Sequence, residues 1–295
     1  ENIHFENIQI NNNTNNYRDT IGIVGQTSGT ITNTNFKNIE IIDNGKKLQK
    51  VGMIGKSNLV TLNNIELNNI KIVAERNFVG GLVGDASDTK ISDIKADNII
   101  INASKECVGG IVGYVHGTKV ENQGLKNIKI TNSSIIGNKS VGGVSGSGVG
   151  YGNNINVNKC DITGTSNVGG LVGSLDWGTI QKGTKVENSN IKGKNYIGGI
   201  AGTGQGNNYY SVVDNCVIEG IYADSMRVGG IAGLGTNSLG CKVNGSRIVS
   251  KGMYVGGITG DNQQLQHCYS IDNYIEGYSY VGGISGCMDV RKYCS

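Results

Sequence analysis

The chain has 295 residues, 26 of them basic and 23 acidic, and a formal charge of +3. That near-balance, with no basic tract and no acidic run, leaves no electrostatic footprint for nucleic acid and no acidic tail, and the short apolar runs cannot span a membrane as a helix. Proline is absent, 48 residues are glycine and aromatic residues make up 6%, which is low for an ordinary globular core.

The predicted elements are punctuated by a glycine block that returns ten times. It first appears as IGIVG at Ile21–Gly25 and VGMIG at Val51–Gly55, and then in a fuller form, VGGLVG at Val79–Gly84 and VGGIVG at Val108–Gly113. The final glycines of the ten blocks are Gly25, Gly55, Gly84, Gly113, Gly146, Gly173, Gly202, Gly233, Gly260 and Gly286, on average 29 residues apart. A fixed period of this size is the signature of stacked supersecondary units. Of the 48 glycines, 28 lie in the blocks, so glycine here marks positions where the chain bends sharply or another backbone approaches.

Between blocks, short runs with Ile or Val at alternate places are bounded by Asn, Asp, Gly and Ser, the signature of strands and turns. Lys90–Ala96 and Asn98–Ala103 fill one interval, and Lys126–Ile130 and Ser134–Ile136 the next. No sustained 3.6-residue apolar period argues for helices. The fourth row of the block (Ile23, Met53, Leu82, Ile111, Val144, Leu171, Ile200, Ile231, Ile258, Ile284) is aliphatic throughout and points to the core. The next row admits Ser145, Thr259 and Ser285 and is either outward or tightly confined. The fold expected is all-β: a right-handed parallel β-helix (β-solenoid) of about ten coils of ~29 residues, a rod on the order of 50 Å long. Residues 1–295 form one repeat domain, with less regular first coils over 1–55 and a C-terminal tail over 287–295. The first two blocks carry an apolar residue where later ones have glycine, so those coils should be wider or differently bent.

The blocks VGGLVG, VGGIVG and VGGIAG at this spacing resemble the GLUG-motif repeats, and the resemblance covers about Ile21 to Gly286. It implies a repeat region of a large secreted or surface-anchored bacterial protein, among them adhesin-like proteins and the non-catalytic part of metallopeptidases that cleave immunoglobulin A. It implies architecture and an extracellular or cell-surface place, not a reaction. An opening at Glu1 without Met or a signal-like stretch fits a mature product or a piece of something larger.

Candidate chemistry is sparse. His4, His116 and His267 show no metal-ligand spacing, no GxSxG elbow is present, and the glycine blocks lack GK[ST]. No catalytic residue, metal ligand or cofactor is expected. The hexapeptide GTKVEN recurs at Gly117–Asn122 and Gly183–Asn188, placing Lys119, Glu121, Lys185 and Glu187 in similar settings, most simply as duplicated turn chemistry. Among seven cysteines, Cys241 and Cys268 fall at equal offsets on adjacent coils, within reach of a disulfide. Cys287 and Cys294 offer a second pairing, whereas Cys160 and Cys216 are a whole coil apart. Sequons begin at Asn12, Asn102, Asn132, Asn138 and Asn244.

The most suggestive row lies six residues before the final glycine: Tyr196, Arg227, Tyr254 and Tyr280 in four successive coils. Such a ladder offers cation–π contacts, and exposed rings with hydroxyls suit a sugar face or a protein partner. The functional expectation is a non-catalytic structural or adhesive module, a rigid stalk or ligand-binding surface for a host glycan or protein. A self-assembling extracellular fibre subunit is the alternative, and a polysaccharide-degrading β-helix enzyme comes third. Neither nucleic-acid binding nor membrane insertion is expected.

Overall fold

The structure is a computed structural model describing residues 2–13, 20–45, 50–117, 124–176, 178–262 and 264–288. Strands, turns and bends are the only elements among them. The strands form one broad 20-stranded sheet and two ten-stranded sheets built from the glycine blocks. Ladders between successive coils are parallel throughout, as in the pairing of Lys90–Ala103 with Thr61–Ala74. The result is a β-solenoid of about nine turns with a repeat near 29 residues.

The corners of each coil are single left-handed residues. One column of positive φ holds Asn33, Asn64, Asp93, Asn127 and Asn154, and a second, five residues later, holds Asn38, Asn69, Asn98, Asn132 and Lys159. Asn and Asp tolerate this region because a short polar side chain hydrogen-bonds locally. They also stack: Asn38, Asn69 and Asn98 each donate from Nδ2 to Oδ1 of the asparagine one coil earlier, at 2.9, 2.8 and 3.1 Å. A one-residue corner keeps the ladder intact. Lys90–Ala103 is therefore a single strand that turns at Asp93 and Asn98, where the sequence suggests two. In later coils it divides, as in Gly124–Thr131 and Ser134–Ile136. These coils also add a short segment such as Asn207–Tyr209 or Asn237–Leu239.

The aliphatic row of the block is the core. Met53, Leu82, Ile111, Val144, Leu171, Ile200, Ile231 and Ile258 are fully buried, while Ile23 and Ile284 at the two ends are partly buried against them. The following row proves to be confined, not outward: Ser145, in register with Val112, and Thr259, in register with Ala232, are fully buried. Ser145 resolves its polarity locally, its Oγ donating to the Gly148 carbonyl at 2.6 Å.

The first and last glycines of the block sit where backbone of the other block sheet approaches too closely for a Cβ. A Cβ on Gly109 would sit 2.1 Å from the Val112 carbonyl oxygen, and one on Gly146 2.4 Å from the carbonyl carbon of Cys107 in the preceding coil. In the first coils the bend is shortened, not widened. Val51 pairs with Val79 and Ile54 with Val83, so VGMIG turns with one residue fewer.

Candidate functional site

The row Tyr196, Arg227, Tyr254 and Tyr280 is the third corner column. It continues Phe78, Cys107, Ser140 and Asn167, and all eight residues have φ between 53° and 63°. A bulky residue in the left-handed region costs about 1–3 kcal/mol, so something in each coil must hold it there. Part of the answer is the ladder itself. The Arg227 guanidinium carbon lies 5.6 Å from the Tyr196 ring centre and 5.2 Å from that of Tyr254. Tyr254 and Tyr280 stack at 4.8 Å with planes 13° apart. Arg227 Nε also donates to Asp261 Oδ2 at 3.0 Å, which neutralises the cation within the stack.

This geometry limits what the edge can bind. Both faces of Tyr254 are taken, one by Arg227 and one by Tyr280, and Tyr196 gives a face to Arg227. A sugar ring needs an open aromatic face to stack on; along the ladder the outer face of Tyr280, 58% exposed, and the face of Tyr196 away from Arg227 have no ring or cation partner among the described residues. The ladder presents ring edges and hydroxyls. A second cation–π pair, Arg247 over Tyr274 at 5.6 Å, lies on the broad sheet, where Arg247 pairs with Tyr274 in register. Tyr210 and Tyr278 stand out individually, 55% and 84% exposed.

Cys241 and Cys268 stand on adjacent coils, since Lys242 pairs with Tyr269. Both are buried free thiols. Parallel register gives them the same setting: Cys241 Sγ lies 3.4 Å from the Asn208 carbonyl and Cys268 Sγ 3.5 Å from that of Ser238. The sulfurs therefore stack in parallel along the rod. The hydrogen bond to Cys268, with burial, pushes the Cys241 thiol well above its usual range. Cys160 and Cys216 are separated by Ser189, which caps the Cys160 amide at 3.1 Å. Cys294 lies outside the described residues, as do Lys119 and Glu121 of the first GTKVEN copy. In the second copy Lys185 bridges Glu187 at 2.6 Å and Asp214 of the next coil at 3.2 Å.

Two polar clusters stand apart from the row read from the sequence. His116 Nε2 meets Asp85 Oδ1 at 2.8 Å, with Lys50 3.6 Å from the same carboxylate and Tyr114 stacked on the imidazole. Cys107 belongs to the same corner column as Phe78, whose ring contacts Tyr114, but burial pushes its thiol up to about 12. It is thus protonated and a poor nucleophile at neutral pH. Deeper in the rod, Arg76 and Asp43 form a fully buried ion pair through Nε and Nη2, the latter at 3.1 Å. Asn12 adds a hydrogen bond to Asp43 at 2.8 Å. Neither partner belongs to the glycine block, so no offset from it marks them as a pair. Among the described residues no three His, Cys, Asp or Glu side chains cluster as metal ligands.

Among the described residues no helix is long and apolar enough to cross a membrane. No protein-family model, curated protein or solved structure matches the chain.

Proposed function

We propose that this chain is a rigid, non-catalytic β-solenoid rod, the structural or adhesive module of a secreted or cell-surface protein. The observation that carries the reading is the continuity of the stack: ten in-register rungs whose side-chain columns, including the tyrosine–arginine edge, are satisfied by the same column one coil away. Ring faces, asparagine amides and most paired charges are spent along the rod axis, which suits a part whose work is length and stiffness. Extracellular placement rests on the likeness of the blocks to GLUG repeats. The edge from Tyr196 to Tyr280 then offers hydroxyls and an open ring face at each end to a protein or glycan partner. The purified chain, incubated with a panel of acidic and neutral polysaccharides, should leave viscosity and reducing ends unchanged; depolymerisation of any one would overturn the reading.

A second reading, a self-assembling fibre subunit, draws on the last rung, where Val281 is 47% exposed and Ile284 only partly buried. Another copy would cover such a surface by continuing the sheets.

A further inference from the structure

On the outward face of the broad sheet two rows of side chains run along the rod axis. One row contains Asn35, Glu66, Lys95 and Lys129, aligned by the register of four successive coils; the facing row contributes Lys37 and Asp97. Between them lies a cleft of about 280 Å³, near the lower bound of about 300 Å³ for small-ligand sites. Its floor is the flat strand backbone at Leu67 and Ala96.

The cleft has open valences of a particular kind. Lys37 is paired with Glu6 at 2.8 Å and Lys95 with Glu66 at 3.1 Å. Lys129 is exposed and has no ion-pair partner among the described residues. Asn35 Oδ1 is buried without a hydrogen-bond partner. Thr131 Oγ1 and Asn132 Nδ2 both donate to Oδ1 of Asp97, at 2.6 and 2.7 Å, which fixes the carboxylate and leaves Oδ2 free to accept. With Lys37 neutralised by Glu6 and Lys95 by Glu66, Lys129 and Asp97 are the charges of the lining that have no ion-pair partner among the described residues. The site thus offers one cation and two acceptors waiting for donors, in a straight channel without an apolar hole for a side chain.

We propose that this cleft binds a linear acidic saccharide of the uronate type, its carboxylate on Lys129 and its hydroxyls donating to Asp97 Oδ2 and Asn35 Oδ1. A hydroxyl-rich monoanion supplies the donors that an acidic peptide, with its widely spaced amides, does not place at both acceptors. The assignment goes beyond the scaffold reading and stands independently of it.

The test is calorimetric titration of the full chain with hexagalacturonate, its methyl-esterified form and hexaglutamate at low salt. Hexagalacturonate should bind, and the ester should bind at least about tenfold more weakly for want of the charge-assisted contact. Lys129→Gln and Asp97→Ala should each weaken binding by about tenfold. Lys242→Gln, in the same row four coils further on, should leave it unchanged, with circular dichroism confirming that each variant is folded. The proposal is overturned by absence of binding up to about 10 mM ligand, by equal binding of hexaglutamate, or by equal losses in the two lysine variants. Cleavage of the bound oligosaccharide would instead overturn the scaffold reading and leave the cleft assignment standing.

Discussion

At the scale of single residues, the rod is governed by where a Cβ fits and where a charge is buried. A methyl group on Gly173 would lie 2.3 Å from the Ser140 carbonyl carbon, whereas Gly29 has no neighbour within 4 Å. Backbone cannot move aside as a side chain can, so Gly173→Ala should cost about 3 kcal/mol, the upper end of overpacking. Gly29→Ala should lie within about 0.5 kcal/mol of wild type. Chemical denaturation of the two variants checks the difference. The Arg76–Asp43 pair, both side chains fully buried, predicts a loss of about 3–5 kcal/mol for Asp43→Ala, because the buried guanidinium loses this carboxylate. Replacing both residues with apolar ones should recover much of that loss, measured by the same unfolding curves.

At the scale of elements, the corners and the charged rows decide the behaviour. Lys159 occupies a corner at φ +55° in a column otherwise rich in asparagine, and Lys159→Asn should raise the thermal midpoint by a few degrees as the strain is relieved. Carboxylates along the outer rows are held below their usual range. The Lys37 ammonium does this to Glu6, Lys71 to Glu40, Asn127 to Asp93, Lys185 to Glu187 and Asn244 to Asp214. For a lowered folded-state pKa, the unfolded chain binds more protons as pH falls, so the stabilisation exists above the unfolded values near 4 and is lost below them. The thermal midpoint should therefore fall progressively below about pH 4.5. A midpoint that holds steady down to pH 3 would contradict this placement of the charges.

How much of this was legible in the sequence follows from the same elements. The core row from Met53 to Ile258 was readable because the block repeats and keeps its offset. The tyrosine–arginine row was readable for that reason too, as was its stacking. Its consequence was not: only the distances show that the stacking uses up both faces of Tyr254 and one face each of Tyr196 and Tyr280. The corner columns had a visible signal, the five-residue spacing of Asn33 with Asn38, Asn64 with Asn69 and Asn127 with Asn132. A left-handed residue does not interrupt alternation as a loop does, which is why Lys90–Ala103 read as two strands. The cleft between Lys37 and Lys129 was hidden, since it is formed by register across four coils and no local motif writes register.

At the scale of the whole molecule, ten rungs with nearest-neighbour contacts make stability a sum of coil and interface terms. A damaging change in a central coil should split unfolding into two steps, and one near an end should only fray it. Nine intervals of about 4.8 Å give a rod of about 43 Å. Small-angle X-ray scattering across a concentration series tests the central claim most directly, because it reads cross-section, length and association together. A stiff rod of that length whose profile does not change with concentration is the predicted result. Length that grows with concentration at constant cross-section would contradict the scaffold reading and make end-to-end assembly the function.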